Sequence, residues 1–140
     1  MIFKYTLAWI PMIFIAIANG AVRQLGYGKV MSELSAHQIF CITGITLFFL
    51  YTFFLGRLWP LEKPGQARMV GVIWLMLTVA FEFIFGHYAA HQPWSRLFHD
   101  YNILAGRLWS LVLVVVAILP YAVYRMRSRQ GETADAKTRR

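Results

Sequence analysis

The hydrophobic positions of the chain form four long apolar runs, and short polar segments rich in Gly and Pro separate them. Each run approaches the roughly 20 residues that an α-helix needs to cross a bilayer. Short connections place consecutive helices antiparallel. The sequence therefore predicts an all-α, polytopic membrane protein with an up-down-up-down bundle of four transmembrane helices. We predict a single domain over residues 1–127, with spans at residues 5–22, 36–56, 69–88 and 103–124.

The amino-acid composition also indicates that most of the chain lies in a lipid bilayer. Of its 140 residues, 59% are hydrophobic and only 14% are charged, whereas soluble proteins carry roughly 25% charged residues. This balance excludes a soluble enzyme and a disordered chain. The single cysteine, Cys41, lies in an apolar run and has no partner for an internal disulfide.

The distribution of charge predicts the orientation. The formal net charge is +8, and Lys and Arg collect on the cytoplasmic side of membrane proteins. The side that holds both termini and the second connection carries Lys4, Arg57, Lys63, Arg68, Arg125, Arg127, Arg129, Lys137, Arg139 and Arg140. The opposite side carries only Arg23, Lys29, Arg96 and Arg107. We therefore predict cytoplasmic termini and a basic, disordered cytoplasmic tail at residues 128–140, with a membrane-flanking role rather than nucleic-acid binding.

Polar residues inside the predicted spans collect near the outer side, and all four helices contribute. This predicted intramembrane polar cluster consists of Asn19, Arg23, His37, Glu82, His87, Asp100, Asn102 and Arg107. At a rise of about 1.5 Å per residue, Glu82 lies roughly 9 Å inside its helix end and Arg107 roughly 6 Å inside its own. An unpaired charge at the bilayer centre costs about 2.5 to 3.5 kcal/mol. We therefore predict a Glu82–Arg107 pair, with Asp100 as the competing partner. Arg23 could join this pair or extend to the lipid headgroups instead, and Asn19, four residues earlier on the same helix face, could hydrogen-bond to either member.

The histidines suggest a metal or haem site only weakly. His87 and His91 are spaced i, i+4 and would share one face of a continuing helix, with His99 nearby. Only Asp100 could complete the local ligand set, so we predict no metal site. A haem b held between His37 and His87, or a bound quinone, is an alternative.

Three functional hypotheses follow. The first is an integral membrane protein whose polar cluster is either a structural clamp or a recognition site for a lipid headgroup, an ion or a partner subunit. The second is a membrane redox subunit that binds haem or quinone. The third is a small proton-coupled transporter that works as a homo-oligomer and uses Glu82 as its protonatable group. The sequence has none of the common catalytic motifs, so no enzymatic activity is predicted.

Three motifs carry a family resemblance: FEFIFGHY at residues 81–88, DYN at 100–102 and GRLW at 106–109. Together they resemble a family of small uncharacterised four-span bacterial inner-membrane proteins. The likeness extends to Asn19-Gly20 with Arg23, and to Ala36-His37-Gln38. The resemblance implies a bacterial inner membrane and a periplasmic location for the polar cluster. It implies no activity.

Overall fold

Four long helices build the protein. The computed structural model describes residues 1–99, 102, 104 and 108–140. The long helices are α1 (Ile2–Leu25), α2 (Glu33–Leu58), α3 (Pro64–Ile84) and α5 (Trp109–Thr138), and a short helix α4 (Trp94–His99) precedes α5. The described residues contain no strand. The predicted all-α fold with four long helices is confirmed.

Local sequence explains where the helices begin and end. The Ser32 side chain caps α2 by accepting a hydrogen bond from the Ser35 backbone N–H at 3.2 Å. Pro64 occupies the first position of α3, where its missing N–H costs nothing. At its other end α3 widens into a π-helical turn over Phe85–Ala89. His91 then adopts a left-handed φ of 55°, which turns the chain away from the helix.

The helices pack as an antiparallel bundle in which α1 and α5 each contact both α2 and α3. The Tyr51 hydroxyl donates to the Ala8 carbonyl at 2.7 Å and joins α2 to α1. The Trp9 indole N–H donates to the Thr78 hydroxyl at 3.0 Å and joins α1 to α3. One end of the bundle, the terminal end, holds both termini and residues 59–63. The other, the loop end, holds residues 26–32, 85–99, 102, 104 and 108.

The backbones of α3 and α5 come close together at Gly71. A Cβ atom placed on Gly71 would collide with the backbone carbonyl of Ala117. Only glycine therefore lets these two backbones come so near, as small residues do in many transmembrane interfaces.

Buried aromatic residues anchor the terminal half. Trp74 is fully buried, and its indole N–H donates to the Tyr5 carbonyl at 2.8 Å. The Tyr5 hydroxyl donates in turn to the Trp59 carbonyl at 2.8 Å, which fixes the connection after α2.

Helix length and hydropathy make the chain a multi-pass membrane protein. Four helical segments are long and apolar enough to span a bilayer: Ile2–Lys29, Glu33–Leu58, Pro64–Ala89 and Trp109–Thr138. Large apolar side chains face outward along them, including Phe3, Phe14, Val72, Met76 and Ile118. This surface is suited to lipid tails rather than to water.

The last helix, α5, runs from Trp109 to Thr138 and includes the residues predicted to form a tail. Residue 103, where we predict the fourth span to begin, lies outside the described residues. The polar composition of the tail suggested disorder. However, residues 125–138 lack proline and are rich in good helix formers. Extension of an existing transmembrane helix also avoids the cost of nucleation.

Candidate functional site

A cavity of about 240 Å³ opens among the helices at the loop end. Three polar residues line it: Arg23 from α1, His37 from α2 and Glu82 from α3. Aromatic rings form much of the remaining wall, from Phe40, Phe81, Phe83, Phe85 and Trp109. A mostly apolar cavity with a few converging polar groups is the usual form of a small-molecule site. We call it the loop-end cavity.

Glu82 is held in place by the first residue of α5. The Trp109 indole Nε1 donates a hydrogen bond to Glu82 Oε2 at 2.7 Å. The Trp109 ring stacks on Phe40, with 5.8 Å between ring centroids and 15° between planes. The carboxylate is half-buried, and this charge-assisted bond offsets part of its desolvation.

A second cavity, of about 70 Å³, lies deeper in the bundle and shares Phe81, Glu82 and Trp109 with the first. Thr78 and Met12 are among its other lining residues. Glu82 therefore borders both an outward and an inward space.

Arg23 lies at the rim of the loop-end cavity. Its Nη2 is 3.7 Å from Glu33 Oε1, a long contact for an ion pair. The guanidinium also lies over the Phe40 ring, 5.4 Å from its centroid. These contacts keep the cation near the cavity while leaving donors for a further acceptor, because a guanidinium has five N–H groups.

Asn19 plays a different part from the one predicted. We expected it to bond to a charged member of the polar cluster. Its Nδ2 instead donates to the Phe40 carbonyl at 3.0 Å, and its Oδ1 accepts from the Thr43 hydroxyl at 2.9 Å. Asn19 is 8% exposed and packs against Gly44. It joins α1 to α2 behind the cavity.

The His37 side chain accepts a hydrogen bond at the start of α5. The side chain is only 2% exposed, and its Nε2 accepts a hydrogen bond from the Leu108 backbone N–H at 3.2 Å. Cys41 Sγ lies 3.5 Å from the same nitrogen. An imidazole nitrogen that accepts an N–H cannot bind a metal at the same time. In this geometry Nε2 of His37 accepts a hydrogen bond at the start of α5 and is therefore not available as a haem ligand.

His87 belongs to the π-helical turn. Its Nδ1 donates to the Gln92 carbonyl at 2.9 Å, and its ring stacks on Trp94 with centroids 3.9 Å apart. His91 lies past the end of this turn, so the i, i+4 geometry considered for His87 and His91 does not form. In the part of the chain that the structure describes, no three His, Cys, Asp or Glu side chains are placed to hold a metal ion.

The predicted cluster thus divides. Arg23, His37 and Glu82 meet at one cavity, whereas Asn19 and His87 bond to backbone or hydroxyl groups elsewhere. Asn102 is exposed, and its backbone N–H donates to the His99 carbonyl at 3.1 Å. Asp100 and Arg107 lie outside the described residues. The Glu82–Arg107 pair therefore stays a prediction.

Sequence reasoning missed the aromatic wall. From sequence alone, Trp109 fits an interfacial aromatic belt, and the phenylalanines of residues 81–85 are expected to face lipid or core. The available signal was the i, i+4 pair Phe81 and Phe85, whose rings stack with centroids 5.1 Å apart. Because these two phenylalanines flank Glu82 in sequence, their spacing indicates a carboxylate that lies among aromatic rings.

No protein-family model, curated protein or solved structure matches the chain. The likeness to small inner-membrane proteins therefore remains an expectation from the three motifs.

Proposed function

We propose that the protein recognises a zwitterionic phospholipid headgroup in its loop-end cavity. One observation carries the proposal: a carboxylate, a guanidinium and five aromatic rings border the same space of about 240 Å³. A zwitterionic headgroup presents an ammonium and a phosphate close together. The cavity offers each of these charges a partner.

The inner wall of the loop-end cavity is chemically suited to the ammonium group. Glu82 supplies a negative charge, and Phe81, Phe83 and Trp109 supply aromatic rings beside it. Aromatic faces attract ammonium ions by cation–π interaction, and this attraction increases when water is excluded. A carboxylate among aromatic rings is therefore suited to a primary or quaternary ammonium.

The phosphate group matches the rim. Arg23 is held there by Glu33 and Phe40, and its planar fork binds phosphate oxygens in pairs. Binding would replace the long contact to Glu33 by shorter hydrogen bonds. Acyl chains would then lie along the apolar outer faces of the helices.

The same proposal includes an orientation. Ten of the fourteen Lys and Arg residues lie at the terminal end or in the tail, which favours a cytoplasmic location for that end. The loop-end cavity would then face the outer leaflet, which in a bacterial inner membrane is the periplasmic one. A reporter enzyme active only outside the cytoplasm, fused after Arg140, should be inactive. Activity of that fusion would reverse the assignment.

Lipid retention by the purified protein tests the headgroup proposal. Native mass spectrometry would compare phosphatidylethanolamine with phosphatidylglycerol on the wild type, Glu82→Gln and Arg23→Gln. We expect a preference for phosphatidylethanolamine in the wild type. Loss of a charged hydrogen-bond partner should weaken its binding about tenfold in either variant.

Glu132→Gln is the matched control, because Glu132 is an exposed carboxylate in the helical tail. It should leave retention unchanged. Glu82→Gln keeps an oxygen that can accept from Trp109, so folding should survive. Loss of folded protein together with unchanged retention per folded molecule would support the clamp hypothesis instead.

Proton-coupled transport is a second candidate, and the deeper cavity beside Glu82 favours it. A carboxyl group between an outward and an inward space has the placement that a proton carrier needs. Proteoliposomes loaded with a pH-sensitive dye would show proton flux that Glu82→Gln abolishes. Headgroup binding without flux would leave lipid recognition as the function.

A further inference from the structure

A third cavity, of about 280 Å³, lies at the terminal end of the bundle, at the opposite end from the loop-end cavity. It is bordered by α1, by the end of α2 with residues 60–62, and by α5. We call it the terminal-end cavity. Its charged lining consists of one half-buried guanidinium, Arg127, and one exposed carboxylate, Glu62.

Close helix packing brings Arg127 to this cavity. A Cβ on Gly56 would lie 2.7 Å from Val123 Cγ1 and 3.4 Å from Arg127 Cδ. The missing side chain at Gly56 therefore lets α5 approach α2, and the aliphatic part of Arg127 rests on the glycine. Arg127 follows Val123 by four residues and shares its helix face. The side chain is consequently half-buried rather than extended into solvent.

Arg127 has unused hydrogen-bonding capacity. Within the described parts of the chain, its guanidinium has neither a hydrogen bond nor an ion pair. Five N–H donors at a half-buried position favour an anionic acceptor. The opposite wall is fixed, because the Tyr5 hydroxyl donates to the Trp59 carbonyl.

The surrounding charge favours an anion as well. Lys4, Arg57, Lys63, Arg68 and Arg125 lie at the same end of the bundle. Among the residues lining the cavity, Glu62 is the one acidic side chain, and it is exposed. Basic pockets between transmembrane helices are a known form of anionic-headgroup site.

We propose that the terminal-end cavity binds a phosphate group, with Arg127 as its ligand. The phosphate could belong to an anionic phospholipid headgroup or to a free phosphate ion. This site is independent of the loop-end cavity, since no residue lines both.

The test uses the full-length protein in detergent and native mass spectrometry with phosphatidylglycerol or inorganic phosphate. Arg127→Gln should weaken binding of the true ligand about tenfold, because a charged hydrogen-bond partner is lost. Arg129→Gln removes the same charge two residues further along α5, from an exposed side chain that does not line the cavity. It should weaken binding less than about threefold, because screening reduces the effect of an exposed charge.

Two further variants test whether phosphate affinity follows the charge of the residues that line the terminal-end cavity. Arg127→Lys keeps the charge and should restore part of the affinity. Glu62→Gln removes the acidic side chain and should strengthen binding. Specific retention of phosphatidylglycerol that inorganic phosphate does not displace assigns the lipid source. Displacement by inorganic phosphate assigns the free ion.

The proposal is overturned if Arg127→Gln and Arg129→Gln weaken binding equally, because the attraction would then be general to the basic end. It is also overturned if the wild type retains neither ligand.

Discussion

The Trp109 indole N–H donates to the Glu82 carboxylate at 2.7 Å and joins the first residue of α5 to the last turn of α3. The contact pairs the single N–H donor of the indole with the half-buried Glu82 carboxylate. It also orients the ring that stacks on Phe40 and forms part of the loop-end cavity.

Trp109→Phe removes this hydrogen bond and keeps an aromatic ring against Phe40. We expect the free energy of unfolding to fall by about 1 to 3 kcal/mol, the cost of leaving a buried polar group without its partner. Unfolding in mixed detergent micelles would measure it. Trp94→Phe is the control, because Trp94 stacks on His87 at an exposed position. Equal losses in both variants would show that the Glu82 contact adds nothing to stability.

Asn19 and Thr43 should be coupled energetically. The Thr43 hydroxyl lies 2.9 Å from Asn19 Oδ1 across α1 and α2. The Ile39 and Phe40 carbonyls of its own helix compete for the same proton at 2.9 and 3.0 Å. A double-mutant cycle with Asn19→Leu and Thr43→Val should give an interaction of about 0.6 kcal/mol, a typical value for hydrogen bonds between transmembrane helices.

Thr46 provides the control for that cycle, because its hydroxyl bonds to the Ile42 carbonyl of its own helix and the side chain is exposed. Asn19→Leu and Thr46→Val should be additive. An interaction of the same size in both cycles would contradict the proposed link between α1 and α2.

Gly71→Ala should damage the contact between α3 and α5. The added methyl group meets the Ala117 backbone carbonyl, which cannot move without shifting α5. Overpacking of this kind costs about 1 to 3 kcal/mol, and thermal unfolding in detergent would report it. Gly65→Ala, at a position in α3 with open space around it, should leave the melting temperature unchanged or raise it. Similar behaviour of the two variants would mean that the helices are not this close.

The tail should be helical in solution. Gly131 has open space around it and lies inside α5. Gly131→Ala should therefore strengthen the helix by roughly 0.8 to 1 kcal/mol, whereas Gly131→Pro should interrupt it. Carbon chemical shifts of residues 128–138 in micelles would show the helix directly. Random-coil shifts in the wild type would support the disorder that the composition suggested.

The bilayer accounts for what could be predicted from sequence. Four apolar runs fix the number of spanning helices, because backbone groups in lipid must be satisfied within each segment. Glu82 was also identifiable from sequence, because it is the one acidic residue inside the predicted spans, and it borders both cavities at the loop end.

The partners that each polar side chain contacts could not be predicted from sequence in the same way. Asn19 and Arg23 share a helix face by spacing, yet one bonds to α2 backbone and the other lines a cavity. That difference depends on how α1 meets Gly44 and Phe40, which periodicity does not specify. The role of His37 likewise depends on Leu108, 71 residues away.

Headgroup selectivity with and without the Glu82 charge tests the central proposal most directly. Both proteins should carry Arg127→Gln, so that the terminal-end cavity does not contribute. The ratio of retained phosphatidylethanolamine to phosphatidylglycerol would be compared between Arg127→Gln alone and Arg127→Gln with Glu82→Gln. With Glu82 neutral and Arg23 still cationic, the cavity should favour the anionic headgroup, and the ratio should fall about tenfold. An unchanged ratio would contradict recognition of a zwitterionic headgroup at this site.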